Sequence, residues 1–145
     1  MKAVIQRCHR AQVEVEGKIV GQIGPGLAVF LGVAKADDES AAEKLTRKIA
    51  SLRIFNDDEG KFNRSLLDTG GSALVISNFT LYGDARKGTR PNFMEAAAPD
   101  EANRLYEAFV TLLRNQNVPV ETGVFAANMK VLVENDGPVT IILEA

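Results

Sequence analysis

The stretch "LAVFLGV", Leu27 to Val33, decides the fold, because all of its residues are apolar or glycine. Such a run is typical of a strand buried on both faces, so we expect it at the centre of a sheet. Before it, Gly24-Pro25-Gly26 predicts a turn, and "KIVGQIG" (residues 18–24) predicts another strand. Strands also open the chain, since "KAVIQR" and "AQVEVEG" alternate or run apolar before Glu16-Gly17-Lys18 turns it.

Two amphipathic helices are predicted after the opening strands. "DDES" (residues 37–40) supplies cap candidates for the first, whose apolar positions are Ala41, Leu45, Ile49 and Leu52. Pro99-Asp100-Glu101 predicts the start of the second, whose apolar positions are Leu105, Phe109, Leu112 and Leu113. "ALVIS" (residues 73–77) lies between them as a short strand, and "MKVLVEN" (residues 129–135) returns to strand. This order predicts one α+β domain over residues 1–145, a mostly antiparallel, barrel-like sheet with two main helices packed on it.

Composition excludes several classes of protein. The chain has 145 residues, 46% of them hydrophobic, which is enough for a core without metal or disulfide support. Cys8 has no partner, the N-terminus lacks a signal-peptide pattern, and no apolar run approaches a bilayer span, so we expect a cytoplasmic protein without membrane contact. A net charge of −2 argues against coating nucleic acid but leaves room for a local basic site.

The sequence lacks the common catalytic motifs. His9 is the only histidine, and the motifs of zinc sites, nucleotide-binding loops and serine hydrolases are absent. The acidic runs at residues 37–39 and 57–59 read as helix caps and turns. We therefore expect no metal and no cofactor. Catalysis would have to come from main-chain donors, hydroxyls or the substrate's own groups.

Two short stretches are the best candidates for a site. "SNFTLYG", Ser77 to Gly83, joins a buried strand to a turn with two hydroxyls, although these hydroxyls could simply satisfy turn hydrogen bonds. "NDGPVT", Asn135 to Thr140, predicts a hairpin turn in which Pro138 begins an edge strand. Within this stretch, the Gly137–Pro138 bond is also the one place where a cis peptide would cost little.

Taken together, these stretches resemble the signature pair of the D-aminoacyl-tRNA deacylases. That family has S-Q-F-T-L followed near the C-terminus by N-x-G-P-V-T, and here the two stand as "SNFTL" (77–81) and "NDGPVT" (135–140). "ARKGTRPNF" (85–93) and "TGVFAANM" (122–129) extend the similarity over the whole chain. The departures are Asn78 in place of glutamine, and Ala126 and Asn128 in place of glycine and aspartate.

The resemblance implies a homodimer that hydrolyses the ester of D-aminoacyl-tRNA, and of glycyl-tRNA mischarged on tRNA(Ala). Gly137 and cis-Pro138 of one subunit would reach into the other subunit's site and exclude L-amino acids. Ser77, Phe79 and Thr80 would form the catalytic wall, with Met129 and Asn78 beside the substrate. No base stands ready to activate Thr80, so we expect the ribose 2′-hydroxyl to activate water instead.

Clusters of arginine and lysine are candidates for contacts with tRNA phosphates, although solvated surface charge explains them equally well. They comprise Arg7 with Arg10, and Arg86 with Lys87 and Arg90. Two other functions fit the same motifs. One is a non-catalytic, homo-oligomeric module that binds a small ligand, and the other is an aminoacyl-tRNA editor of different specificity with a trans Gly-Pro bond.

Overall fold

The computed structural model describes residues 1–145, which form a six-stranded mixed sheet with three helices. The sheet strands are β1 (Lys2–Val15), β2 (Lys18–Ile23), β3 (Gly26–Gly32), β6 (Ser72–Ser77), β7 (Val120–Thr122) and β8 (Lys130–Glu144). A small second sheet holds β4 (Phe55–Asn56) and β5 (Phe62–Arg64). The helices are α1 (Glu39–Ser51), α2 (Leu66–Thr69) and α3 (Pro99–Arg114), and a 3₁₀ turn spans Phe79–Tyr82.

The opening strands form one long hairpin. Glu16 and Gly17 both have positive φ, which is the geometry of a type I′ turn. The register against β1 is the same in β2 and β3, since Ala11 pairs with Ile23 and Cys8 with Gly26. The turn expected at Gly24-Pro25-Gly26 is therefore wrong. Because both strands follow the same edge of β1, glycine and proline bend the chain here without reversing it.

The predicted α+β class is confirmed, and the sheet also contains parallel pairs. β1 pairs antiparallel with β2, β3 and β8, whereas β3–β6 and β6–β7 are parallel. Each parallel pair is joined by a helical crossover, as parallel neighbours require. The sheet curls until it is nearly closed. Its two ends, β2 and β7, come so close that a Cβ on Gly21 would lie 2.3 Å from the Thr122 carbonyl oxygen.

The two main helices begin and pack as predicted. Asp38 caps α1 by accepting a hydrogen bond from the Ala41 N–H at 3.0 Å, and Pro99 occupies the first turn of α3. Both helices bury their apolar positions in one core cluster with the inner face of the sheet. The short helix α2 was not predicted, although Ser65 and Asp68 form a capping box at its start. No helix combines the length and apolar character needed to span a membrane.

The hairpin turn predicted at "NDGPVT" is wrong, because both of its flanks pair with the same strand. Thr140 pairs with Gln6 and Asn135 with Cys8, so residues 136–139 of β8 bulge outward opposite Arg7. β1 carries a compensating bulge between Cys8 and Arg10. Asp-Gly is a strong local turn signal, but the long pairing of β8 with β1 on both sides of it holds the chain in one direction.

These bulges let one pair of strands serve two cores. Ala3 and Ile5, before the bulge of β1, and Ile141, after the bulge of β8, pack into the cluster under the helices. At the other ends of the two strands, Ala11 and Val133 pack into a second cluster within the curled sheet. All five positions carry odd numbers, so strict alternation would place them on one face. The bulges shift the alternation and turn the side chains to the opposite face.

Candidate active site

A cleft of about 690 Å³ opens where β3 and β6 end. Its lining includes Ser77, Asn78, Phe79, Thr80 and Met129, which the sequence predicted as site residues from two distant segments. The floor is apolar, and no sequence pattern pointed to its members, which include Leu31, Val33, Ala97 and Phe125. The structure thus brings five predicted residues together in one concave surface.

The 3₁₀ turn carries the first wall of the cleft. The Asn78 N–H donates to the Leu31 carbonyl at 2.8 Å, which fixes the turn to the end of β3. The first donor within the turn is Leu81, whose N–H donates to the Asn78 oxygen at 3.3 Å. The N–H groups of Phe79 and Thr80 therefore have no acceptor inside the turn, and no side chain caps it. Two main-chain donors are free to bind a developing negative charge.

Thr80 and Asn78 are joined through their side chains. The Thr80 hydroxyl donates to Asn78 Oδ1 at 2.5 Å, so the shorter amide at position 78 reaches the hydroxyl two residues on. The only histidine does not approach them. His9 lies at the bulge, where its Nε2 is 3.5 Å from Asp136 Oδ1. Thr80 thus has a hydrogen-bond acceptor but no base to remove its proton.

The loop from Asp84 to Met94 borders the mouth of the cleft. Phe93 lines the cleft and meets Phe79 edge to face, with 5.1 Å between the ring centroids. Gly83 permits this approach, because a Cβ there would lie 3.0 Å from the Phe93 ring. The sequence predicted Phe93 only as part of a loop. A single aromatic residue in a polar segment belongs to no periodic pattern, so the sequence does not indicate which way its side chain points.

The opposite wall is the segment from Phe125 to Met129. Ala126 lies in it with φ +61°, a conformation that costs a non-glycine residue free energy. Alanine in place of the family's glycine therefore keeps a left-handed backbone and carries local strain. Gly123 lies against this wall, and a Cβ there would lie 2.6 Å from Met129 Sδ, so the Met129 side chain would have to move.

Gly137 and Pro138 do not line the cleft of their own chain. They are exposed at the bulge of β8, and the peptide bond between them is cis, the isomer that the resemblance implies. The bulge lies opposite Arg7, which pairs with Leu27, whereas the cleft begins at Leu31. Leu27 and Leu31 are four positions apart in β3, so the bulge and the start of the cleft lie about 13 Å apart along the strand.

Arg7 holds the base of the bulge, which corrects its prediction as a phosphate contact. Its side chain is buried and donates to the Ile54 carbonyl at 2.8 Å, the Asp136 carbonyl at 3.1 Å and Asn56 Oδ1 at 3.3 Å. A guanidinium committed in this way has no free face for a phosphate. Arg10 is exposed, and its Nε donates to Glu134 at 2.7 Å.

The other predicted cations lie on the loop beside the cleft. Arg86 forms a two-pronged pair with Asp84, Nε to Oδ1 at 2.9 Å and a terminal nitrogen to Oδ2 at 2.8 Å. These bonds lower the pKa of Asp84 to about 2. Lys87 and Arg90 are exposed and form no ion pair. No group of three or more histidine, cysteine, aspartate or glutamate side chains is arranged to hold a metal ion.

The chain is similar to known proteins over its whole length. A family model described as D-Tyr-tRNA(Tyr) deacylase matches residues 4–144. D-aminoacyl-tRNA deacylases from Thermus aquaticus and Dehalococcoides mccartyi are 57% and 58% identical over the whole chain and 95% of their own length.

Among solved structures, one titled "c-Myc DNA Unwinding Element Binding Protein" matches with a TM-score of 0.95 and 40% identity, covering 100% of this chain and 99% of its own. A probable eukaryotic D-amino acid tRNA deacylase shares the fold, with a TM-score of 0.84 at 18% identity over 99% of this chain and 98% of its own. From the family model and the full-length relatives, the chain belongs to the D-Tyr-tRNA(Tyr) deacylase family, hydrolases that act on aminoacyl-tRNA.

Proposed function

We propose that residues 1–145 act as one domain that hydrolyses the ester of D-aminoacyl-tRNA, and of glycyl-tRNA mischarged on tRNA(Ala), while sparing L-aminoacyl esters. The observation that carries this proposal is the cleft itself. It combines two free main-chain donors, at Phe79 and Thr80, with an apolar floor and no side-chain base. Such a site can stabilise an oxyanion but needs the substrate to help activate water.

Hydrolysis in this cleft proceeds by addition of water to the ester carbonyl carbon. The carbonyl oxygen becomes an oxyanion and accepts hydrogen bonds from the N–H groups of Phe79 and Thr80. The neighbouring ribose 2′-hydroxyl orients the water and relays its proton. The ester C–O bond then breaks, the ribose oxygen takes the proton, and the D-amino acid and tRNA are released. Ser77, Asn78 and Met129 position the substrate.

Selection against L-amino acids is assigned to Gly137 and Pro138 of a partner subunit. Both residues are exposed, and their level on the sheet lies about 13 Å along the strands from their own cleft, too far to serve it directly. In a homodimer the partner's backbone carbonyls would bind the substrate's α-amino group and crowd the position of an L side chain. Glycine, which has no side chain, passes this filter.

The aminoacylated end of tRNA is the proposed partner, and translation quality control in the cytoplasm is the proposed setting. Lys87 and Arg90 are the proposed phosphate contacts, because they are exposed, unpaired and carried by the loop that borders the cleft. Arg86 is already hydrogen-bonded to Asp84, and we propose that it stabilises the loop instead of contacting phosphate.

The proposal is tested by incubating the protein with D-tyrosyl-tRNA, L-tyrosyl-tRNA and glycyl-tRNA(Ala) side by side. We expect the first and third esters to be hydrolysed and the second to persist. Loss of the L-ester at a similar rate would contradict the chiral filter. Survival of all three esters would favour a binding module.

A further inference from the structure

We propose that the segment Asp84–Met94, here called the border loop, clamps the single-stranded RNA that precedes the terminal adenosine of the substrate. The inference rests on the proposed function and extends it from the reacting ester to the nucleotides before it. Phe93 and Met94 would stack against a base, and Lys87 and Arg90 would contact the phosphates on either side of it.

The border loop is held rigidly at its base. Asp84 and Asn92 exchange two main-chain hydrogen bonds, with N–O distances of 2.8 and 3.0 Å. The Arg86 fork closes on Asp84 from inside the loop, and the Met94 N–H donates to Asn92 Oδ1 at 3.3 Å. A preformed loop loses little conformational entropy when it binds a flexible strand.

An apolar surface continues from the cleft onto the border loop. Phe93 packs edge to face on Phe79 inside the mouth, and Met94 follows it outside with 69% of its surface exposed. Aromatic and thioether groups at the edge of a site bind the faces of nucleobases, and this contact does not depend on the base. Met94 thus offers a stacking surface for a base just outside the mouth of the cleft.

The charges of the loop divide into two roles. Arg86 is neutralised by Asp84, whereas Lys87 and Arg90 project without a carboxylate within ion-pair distance. The nearby carboxylate of Glu95 lines a separate hollow with Lys2 and Tyr82. Since the whole chain carries a net charge of −2, attraction of a polyanion must be local, and these two cations provide it. A negatively charged strand with unstacked bases complements this surface.

The test compares two D-tyrosyl esters, one on adenosine alone and one on a trinucleotide ending in CCA. We expect the wild type to have a higher kcat/KM for the trinucleotide ester by a factor of about 5 to 150, mostly through KM, as expected for stacking one base. Met94→Ala should lose most of this advantage while hydrolysing the adenosine ester at the wild-type rate.

Charge is tested with Lys87→Gln/Arg90→Gln, and Lys44→Gln/Lys48→Gln on the exposed face of α1 is the matched control for net charge. The loop variant should weaken binding of a fluorescent CCA trinucleotide that carries no amino acid, and it should reduce the slope of log affinity against log salt by about 1.4, or 0.7 for each lost phosphate contact. The α1 variant should keep the wild-type slope.

Three results would overturn the clamp: equal kcat/KM for both esters, equal salt slopes for the two charge variants, or a change in oligomeric state with Met94→Ala. The last would show that a second copy of the chain covers the surface. If neither ester is hydrolysed, the proposed function fails, but trinucleotide binding still decides the clamp.

Discussion

At the scale of single residues, the contact between Thr80 and Asn78 has direct consequences for the chemistry. The hydroxyl donates its hydrogen to the Asn78 amide oxygen at 2.5 Å, and no base approaches it. Its remaining lone pairs accept hydrogen bonds but are poor nucleophiles without deprotonation. Thr80 is therefore best placed to orient the substrate or water.

Replacement of Thr80 should leave substantial activity. We expect Thr80→Val to lower kcat for a D-aminoacyl ester by about tenfold, or 1.4 kcal/mol, since one hydrogen bond is lost. Thr80→Ser, which keeps the hydroxyl, should stay close to the wild type. A fall of Thr80→Val to the uncatalysed rate, measured in single-turnover assays, would identify Thr80 as the nucleophile.

Ala126 should carry a measurable conformational cost. Because its φ is +61°, Ala126→Gly should raise the free energy of unfolding by about 0.5–1 kcal/mol in urea titrations. Ala127→Gly is the matched control, since its neighbouring position has no positive φ and should lose stability. Destabilisation of both variants to the same extent would contradict the assignment of strain to Ala126.

At the scale of secondary-structure elements, the bulge of β8 depends on one buried side chain. Arg7 donates hydrogen bonds to the Ile54 and Asp136 carbonyls and to Asn56 Oδ1. It thereby ties the bulge to the segment that follows α1. A guanidinium suits this task because its donors point in several fixed directions, which a lysine ammonium does not reproduce.

Removal of Arg7 should destabilise the protein and loosen the bulge. We expect Arg7→Ala to lower the free energy of unfolding by about 2–4 kcal/mol, because buried carbonyls lose their donors. Hydrogen exchange should accelerate in residues 135–140. Arg10→Ala removes a neighbouring, exposed arginine and should cost at most about 1 kcal/mol. Equal effects of the two substitutions would show that Arg7 has no special structural role.

Prediction of the elements from sequence succeeded where the determinants were local. Both long helices were recognisable because periodic apolar positions followed a capping residue, Asp38, or a first-turn proline, Pro99. Strand direction was not recognisable at Gly24–Pro25 or at "NDGPVT", because pairing with β1 overrides the turn signals. The cleft was predicted through its motif residues, but its floor and Phe93 depend on tertiary contacts that no short pattern encodes.

At the scale of the whole molecule, the exposed Gly137–Pro138 segment of β8, here called the elbow, and the cleft should function in different chains of a dimer. Gly137→Ala should disable the elbow, since φ is +141° and the added Cβ would lie 2.7 Å from Val139. Ala127→Phe should fill the cleft. Each homodimer should be inactive on D-tyrosyl-tRNA, whereas a mixed dimer should regain one intact site and about half the activity per dimer.

This complementation is measured on co-expressed, differently tagged chains, after size-exclusion chromatography has established the oligomeric state. An active monomer would exclude cross-subunit function. A mixed dimer as inactive as its parents would place the elbow and the cleft of one chain in the same site.

Alkaline pH should destabilise the fold through Cys8. Burial raises the pKa of its thiol from 9.0 to about 11, so the neutral form is favoured in the folded state. The associated stability is complete below pH 9 and is lost as pH rises towards 11, at up to about 1.4 kcal/mol per pH unit.

Cys8→Ala should flatten this dependence in urea titrations between pH 8.5 and 10.5. Burial also raises the pKa of Tyr106 to about 12, but this group affects both proteins equally. Parallel pH dependences of the wild type and Cys8→Ala would contradict the role of the thiol.

The bulge in β8 also constrains how the length of the chain can vary. Residues 131 and 133 pack in one core, and residues 139, 141 and 143 pack in the other, on the opposite face of the sheet. Deletion or insertion of a single residue within 136–139 would turn one flank over and expose its buried side chains. A change of two residues would keep both flanks correctly oriented. Length variation in this segment should therefore be tolerated in even steps only.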